Sequence, residues 1–159
     1  MNRKKPGGVL RAGSFPAEDQ VFGGNGDHGD ISLSPIPTGL AVKKEAIRRI
    51  STGAPTAFLS VDIDDFRAYK DNYGRMNGDR VIRHVAVMLL DLKNDFPGEN
   101  VFAGYFGGDD FAVLCDTRKA EELALAIAAG FDAMAPSFYN EVDRARGFTI
   151  SKERGAEIR

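Results

Sequence analysis

The pentapeptide Gly107-Gly108-Asp109-Asp110-Phe111 constrains this chain more than any other stretch. Two glycines permit the positive φ of a tight turn and let a phosphate-bearing ligand come close to the backbone. Two carboxylates follow, and the runs on either side, 101–106 and 111–115, are apolar and β-like. The spacing predicts two antiparallel strands joined by a tight turn that carries both carboxylates. Taken alone, Gly-Gly-Asp-Asp is also good turn chemistry and nothing more.

Upstream, residues 57–63 (Ala-Phe-Leu-Ser-Val-Asp-Ile) form an apolar, partly β-branched run that reads as a buried strand, with Asp62 near its end. A carboxylate there needs a partner or a task. After a polar segment centred on Tyr73-Gly74, residues 79–93 carry Val81, Ile82, Val85, Met88, Leu89 and Leu92 at helical spacing. His84 falls on that helix among charged neighbours and reads as a surface residue. Before the first strand, Leu40, Val42, Ala46, Ile47 and Ile50 predict a short opening helix, with Lys43, Lys44, Arg48 and Arg49 on its other face. After the hairpin, residues 117–135 predict a second amphipathic helix. Leu123, Ala124, Ile127, Phe131 and Met134 face inward there, Asp116 is the N-cap, and Pro136 marks the end. The tail from residue 137 is polar, with a short strand expected at 148–150 and a turn near Arg154-Gly155.

The order strand, helix, strand, strand, helix is a ferredoxin-like, cyclase-type α+β layout, an antiparallel sheet flanked by helices. In it the first strand lies beside the hairpin, so Asp62 and Asp109 converge on a hard, all-oxygen site. Magnesium takes such a site, completed by water and substrate phosphates, and neutralises charge developing on a nucleoside triphosphate. Asp62, Asp64 and Asp65 equally read as a solvated strand end.

Composition narrows the classes. A chain of 159 residues, 43% hydrophobic and 28% charged, suits one globular domain. Residues 1–33 are glycine-rich with scattered apolar side chains, too few to offset the entropy of ordering, and are expected to be a disordered leader that includes His28. The domain is then 34–159. A net charge of -2 without a basic stripe excludes stable nucleic-acid binding. Cys115 is the single cysteine, so no internal disulfide forms, and its apolar neighbours make it a buried thiol suited to a reducing cytoplasm. No stretch approaches a membrane span.

Four segments occur in order: Val61-Asp62-Ile63-Asp64-Asp65-Phe66-Arg67, then Asp71-x-Tyr73-Gly74, then Gly78-Asp79, then Phe106-Gly107-Gly108-Asp109-Asp110-Phe111. Together they resemble the GGDEF family, the diguanylate cyclases of cyclic-di-GMP signalling, from about Thr38-Gly39-Leu40 to about Gly147. The stretch 139–148, with Asp143-Arg-Ala-Arg-Gly147, resembles a segment of one branch of that family. The resemblance implies a magnesium- (or manganese-) dependent condensation of two GTP molecules, one on each subunit of a head-to-head homodimer, each 3′-hydroxyl attacking the other's α-phosphate. It assigns the metals to Asp62, the carbonyl of Ile63 and Asp109, and phosphate contacts to Phe66 and Arg67. Guanine contacts fall to Lys70 and Asp79, and Asp110 takes the second acidic position, tied to catalysis.

The departures carry their own implications. Arg67 replaces the usual lysine and keeps a phosphate-compatible charge. Lys70 replaces an asparagine that both donates and accepts, whereas an ammonium only donates, so part of the guanine recognition is lost. Asp110 keeps the charge of the usual glutamate but withdraws it by one methylene. An Arg-x-x-Asp product-inhibition motif, which would fall at 98–101, is absent. The family's last core strand and basic helix are missing before Arg159, which would leave the first strand with an open edge. These departures keep two alternatives beside an impaired cyclase: an inactive GTP-sensing or dimerisation module, and a gene fragment without function. A polymerase palm shares the Gly-Asp-Asp hairpin but needs a basic channel that this chain lacks.

Overall fold

The structure, a computed structural model, describes residues 36–147, 149, 151–153 and 156–158. The expected leader, with His28, lies outside these residues. The central sheet follows from the apolar runs: β1 (Ala57–Val61), β2 (Phe102–Gly107) and β3 (Asp110–Cys115), in the order β1-β3-β2, all antiparallel. The hairpin and the adjacent first strand are thus as expected, although β1 ends at Val61, two residues early.

Strand β3 lies in the middle and is covered on both faces, which is why it reads as unbroken apolar sequence rather than alternating. Its alternate side chains enter two different cores. Phe111, Val113 and Cys115 join Leu59, Val61, Val81, Ile82, Val85, Leu89, Leu123 and Ile127. Ala112 and Leu114 join Val42 and Ala46. The first core is built under α3 (Arg75–Asp95) and α4 (Ala120–Met134), the second under α1 (Gly39–Ser51). The chain is therefore an α+β sheet flanked by helices on both faces.

Helix α1 corrects the expected polarity of its faces. Leu40, Ile47 and Ile50 are exposed, at 62%, 53% and 60%, whereas Arg49 is 1% exposed. The buried stripe is Val42, Ala46 and Arg49, spaced by four and three residues, and it meets the small residues of the sheet. The Arg49 guanidinium is satisfied there: Nε donates to Glu45 Oε1 at 2.7 Å and Nη2 to the Asn100 carbonyl at 2.7 Å. Glycine at position 104 allows α1 to lie this close, since a Cβ there would stand 2.0 Å from Val42 Cγ2. Gly104→Ala is expected to destabilise the domain by about 1–3 kcal/mol through forced repacking, measurable by urea unfolding with an unchanged m-value.

The segment read as polar around Tyr73 is a helix, α2 (Phe66–Tyr73), anchored by buried Phe66 and Tyr69 one turn apart. Asp116 does act as a cap, accepting from the Arg118 amide at 2.8 Å, but the first turn, Thr117–Lys119, is a 3-10 helix before α4 begins. Beyond the 3-10 turn Ala135–Phe138 lies an unanticipated short helix, α5 (Glu141–Arg146), capped by Asn140. Of the strand expected at 148–150 only Thr149 is described, and it is irregular, while positions 148 and 150 lie outside the described residues; β4 (Ser151–Glu153) pairs with β5 (Ala156–Ile158). The turn expected at Arg154-Gly155 also lies outside the described residues. No helix among the described residues is long and apolar enough to cross a membrane.

Candidate functional site

Antiparallel register decides what meets at the end of the sheet. Val61 pairs with Phe111, so one step further Asp62 leaves β1 where Asp110 enters β3. Gly107 pairs with Asp110, which leaves Gly108 and Asp109 as a two-residue loop between β2 and β3. Gly107 has φ 127° and Gly108 φ 63°, values that L side chains rarely adopt, so the two glycines supply what the turn needs. The space over Gly107 is open, with no heavy atom within 4 Å of where a Cβ would sit. The Tyr105 hydroxyl donates to the Gly108 carbonyl at 3.1 Å and braces the loop beside a register shift between Tyr105 and Gly107.

Electrostatics show which groups converge. Desolvation, then the charges of Asp109 and Asp110, push the Asp62 carboxyl above the usual carboxylate range, and a hydrogen bond from the Ile63 amide offsets this only in part. Asp62 is nonetheless exposed in part, so its desolvation arises at an open mouth, beside the like charges of Asp109 and Asp110. Burial, then Asp109, Asp79 and Asp110, push the Tyr105 phenol upward in the same way. Asp79 belongs to the first turns of α3, so the ends of β1, the hairpin and α3 deliver carboxylates to one region. Tyr105 was not anticipated as part of this region, although its place opposite Phe111 in the ladder, rings 4.9 Å apart, follows from the strand register.

Among the described residues no group of three or more His, Cys, Asp or Glu side chains forms a metal cage. The donors at hand are the Asp62 and Asp109 carboxylates and the Ile63 carbonyl, which also accepts from the Phe66 amide at 3.3 Å. Such an oxygen-only, incomplete set fits magnesium, which keeps waters and takes substrate phosphates for its other positions.

The loop from Asp62 to α2 turns through Asp65, whose φ of 57° is the single positive value of a non-glycine residue among those described. Short polar aspartate is among the residues that tolerate this conformation. Arg67 is exposed at the start of α2, whereas the Phe66 side chain is buried at 4% exposure. The Phe66 side chain therefore anchors the helix. Lys70 Nζ lies 4.6 Å from the Phe66 ring centroid. Its stem rests on α3, where a Cβ at Gly78 would stand 2.7 Å from Lys70 Cγ. Lys70 and Asp79 thus come from helices that touch at Gly78.

Behind α2 lies a cluster that sequence reading missed. Tyr69 and Tyr73 stack at 4.8 Å, and Tyr139 meets both edge-on at 5.6 and 5.7 Å. The Tyr69 hydroxyl donates to the Phe138 carbonyl at 2.9 Å, and the Tyr73 hydroxyl donates to Asp143. The signals present were the i, i+4 tyrosines and Asn140-x-x-Asp143, in which the Asn140 side chain accepts from the Asp143 amide at 2.8 Å. This ties segment 139–147 to α2, and so indirectly to the loop that carries Asp62.

The family described as "Diguanylate cyclase, GGDEF domain" matches residues 41–152. Diguanylate cyclase VdcA of Vibrio cholerae is 35% identical over 88 residues, covering 55% of this chain and 25% of that protein. Diguanylate cyclase DosC of Escherichia coli is 33% identical over 85 residues, covering 53% and 18%. The chain thus spans a quarter or less of the length of these curated relatives. Among solved structures, the active GGEEF domain of a diguanylate cyclase from Vibrio cholerae is 26% identical, with a TM-score of 0.47 and coverage of 55% of this chain and 56% of that one. The GGDEF domain of DgcB from Caulobacter crescentus, in complex with c-di-GMP, is 21% identical, with a TM-score of 0.48 and coverage of 84% and 72%.

Proposed function

The chain belongs to the GGDEF family of cyclic-di-GMP signalling, and from that premise we propose that it binds GTP with magnesium or manganese at the β2–β3 hairpin, with cyclisation to cyclic-di-GMP weak or lost. The observation that carries the reading is the strand register, which crowds Asp62 against the glycine turn that bears Asp109 and Asp110, with free space above Gly107. A divalent cation relieves that crowding and lets a triphosphate enter.

Each residue then has a physical role. Asp62, Asp109 and the Ile63 carbonyl hold the metal, which when bound offsets the charge of the triphosphate. The bare backbone of Gly107 and Gly108 admits phosphate oxygens, and the exposed Arg67 offers a guanidinium to them. Lys70 and Asp79 face the guanine, with Lys70 supplying a donor but no acceptor. Asp110 sits near the reacting hydroxyl. Product formation requires a second copy bearing its own GTP, face to face, with pyrophosphate leaving from each α-phosphate. The setting is the cytoplasm, where GTP is available. The substitutions at Lys70 and Asp110 favour a second reading, a GTP-sensing module that binds without turnover.

Incubation of the chain with GTP and magnesium, with cyclic-di-GMP followed by chromatography and GTP binding measured in parallel, separates these readings. Product that disappears in Asp62→Ala establishes a weak cyclase, and binding without product establishes the sensing module. Absence of both overturns the proposal. A stability measurement adds an independent check. Folding disfavours ionisation of Asp62, a penalty that is absent in acid and grows as pH rises through the raised carboxyl pKa. Asp62→Asn is therefore expected to raise the metal-free Tm at pH 7, while magnesium with GTP raises the Tm of wild type but not of the variant.

A further inference from the structure

The outer face of α3 is not used by the site, and its sequence is self-complementary. Val87, 55% exposed, is at its centre. Arg83 lies one turn before it and Asp91 one turn after; Arg80 lies about two turns before and Asp95 about two turns after. All four are exposed, and none forms a salt bridge with another described residue. Arg83, Val87, Asp91 and Asp95 also line a groove of about 550 Å³, together with His84, Met88 and Met134.

We propose that a second copy of this chain docks on this face, the two α3 helices running antiparallel about a two-fold axis at Val87. In an isologous contact residue i meets j and j meets i, so Arg83 of each copy faces Asp91 of the other, and Arg80 faces Asp95. Two ion pairs are thereby made twice. The i, i+4 row through residues 83, 87 and 91 is the ridge that packs in the commonest helix-helix crossing, which seats the Val87 side chains against the apolar groove. A parallel pairing would set arginine against arginine. The other exposed apolar face, Leu40, Ile47 and Ile50 on α1, is flanked by Lys44 and by Arg48, which is already paired with Glu45, so it lacks the stripe's charge complementarity.

The contact is separate from the nucleotide site. Asp79 lies about 12 Å along α3 from Val87, toward the helix start, so the two-fold axis places the two hairpins at opposite ends of the helix pair. The association is small and charge-rich, a concentration-dependent dimer that weakens as salt rises.

Analytical ultracentrifugation of the 159-residue chain over a concentration series, without nucleotide, tests this. An acidic-stripe variant (Arg80→Glu with Arg83→Glu) and a basic-stripe variant (Asp91→Lys with Asp95→Lys) are each expected to weaken self-association at least tenfold. Their equimolar mixture is expected to dimerise at least as tightly as wild type. All substitutions are on the solvent face, and circular dichroism verifies that both variants fold. A wild-type chain that stays monomeric up to millimolar concentration overturns the proposal. So does a dimer that both variants retain, because its interface then lies elsewhere, or a mixture of the two variants that fails to associate.

Discussion

Asp110→Glu is expected to raise the rate at which the chain makes cyclic-di-GMP from GTP and magnesium by on the order of a hundredfold, with GTP affinity nearly unchanged. Asp110 is the first residue of β3, held in register against Gly107 and exposed toward the mouth that also holds Asp62 and Asp109. Its charge is felt there, since it helps to push both Asp62 and Tyr105 upward. Its reach is the variable. Strand pairing fixes the backbone, so the carboxylate of an aspartate stops about 1 Å short of where a glutamate would deliver it, and no loop motion recovers the difference. Initial rates at saturating GTP, compared at equal protein concentration, check this. An unchanged rate with intact GTP binding would move the defect to guanine recognition at Lys70, or to the assembly of two facing sites.

Arg49→Ala is expected to cost about 3 kcal/mol of stability and to lower the Tm by on the order of 10 °C. The guanidinium is buried and joins Glu45 on α1 to the Asn100 carbonyl just before β2, pinning the helix to the sheet. Removing it leaves a mostly buried carboxylate short of one partner and a carbonyl without its donor. Arg49→Met separates the two parts of the loss, since it keeps the apolar stem and removes the charge. Glu45 adds a signature in pH. The hydrogen bond from Arg48, together with the bond and charge of Arg49 and against the opposing effect of burial, lowers its pKa from 4.5 to about 2. A depressed carboxyl pKa contributes stability that is complete above pH 4.5 and is lost as pH falls toward 2. Arg48 is 55% exposed on its side chain and screened by water, so most of the structural cost falls on Arg49. The gap in Tm between wild type and Arg49→Ala should therefore narrow across that acid range. A gap independent of pH would assign the loss to packing alone.

Much of this architecture was legible in the chain because it rests on local periodicity. The spacing of Val81, Ile82, Val85, Leu89 and Leu92 marked α3, and the apolar runs around Gly107-Gly108 marked the hairpin, since a buried face imposes its repeat on the sequence. Helix α1 was misread on the same logic. Its apolar residues outnumber the positions that touch the sheet, so periodicity took Leu40, Val42, Ala46, Ile47 and Ile50 together, while packing kept Val42 and Ala46 and added Arg49. Helix α2 was missed because its eight residues bury only two side chains, too short a stripe to establish a period.

The candidate site divides along the same line. The sequence by itself determined the glycine turn, the carboxylates at Asp62, Asp109 and Asp110, and the family to which their order belongs, because turn geometry and charge are properties of neighbouring residues. Only the tertiary structure decided that Phe66 is an anchor, that Tyr105 stands among the acidic groups, that Tyr139 and Asp143 brace α2, and that Arg49 is buried. Each of those depends on contacts between residues far apart in the chain, and such contacts are fixed by strand register and helix packing rather than by any local repeat.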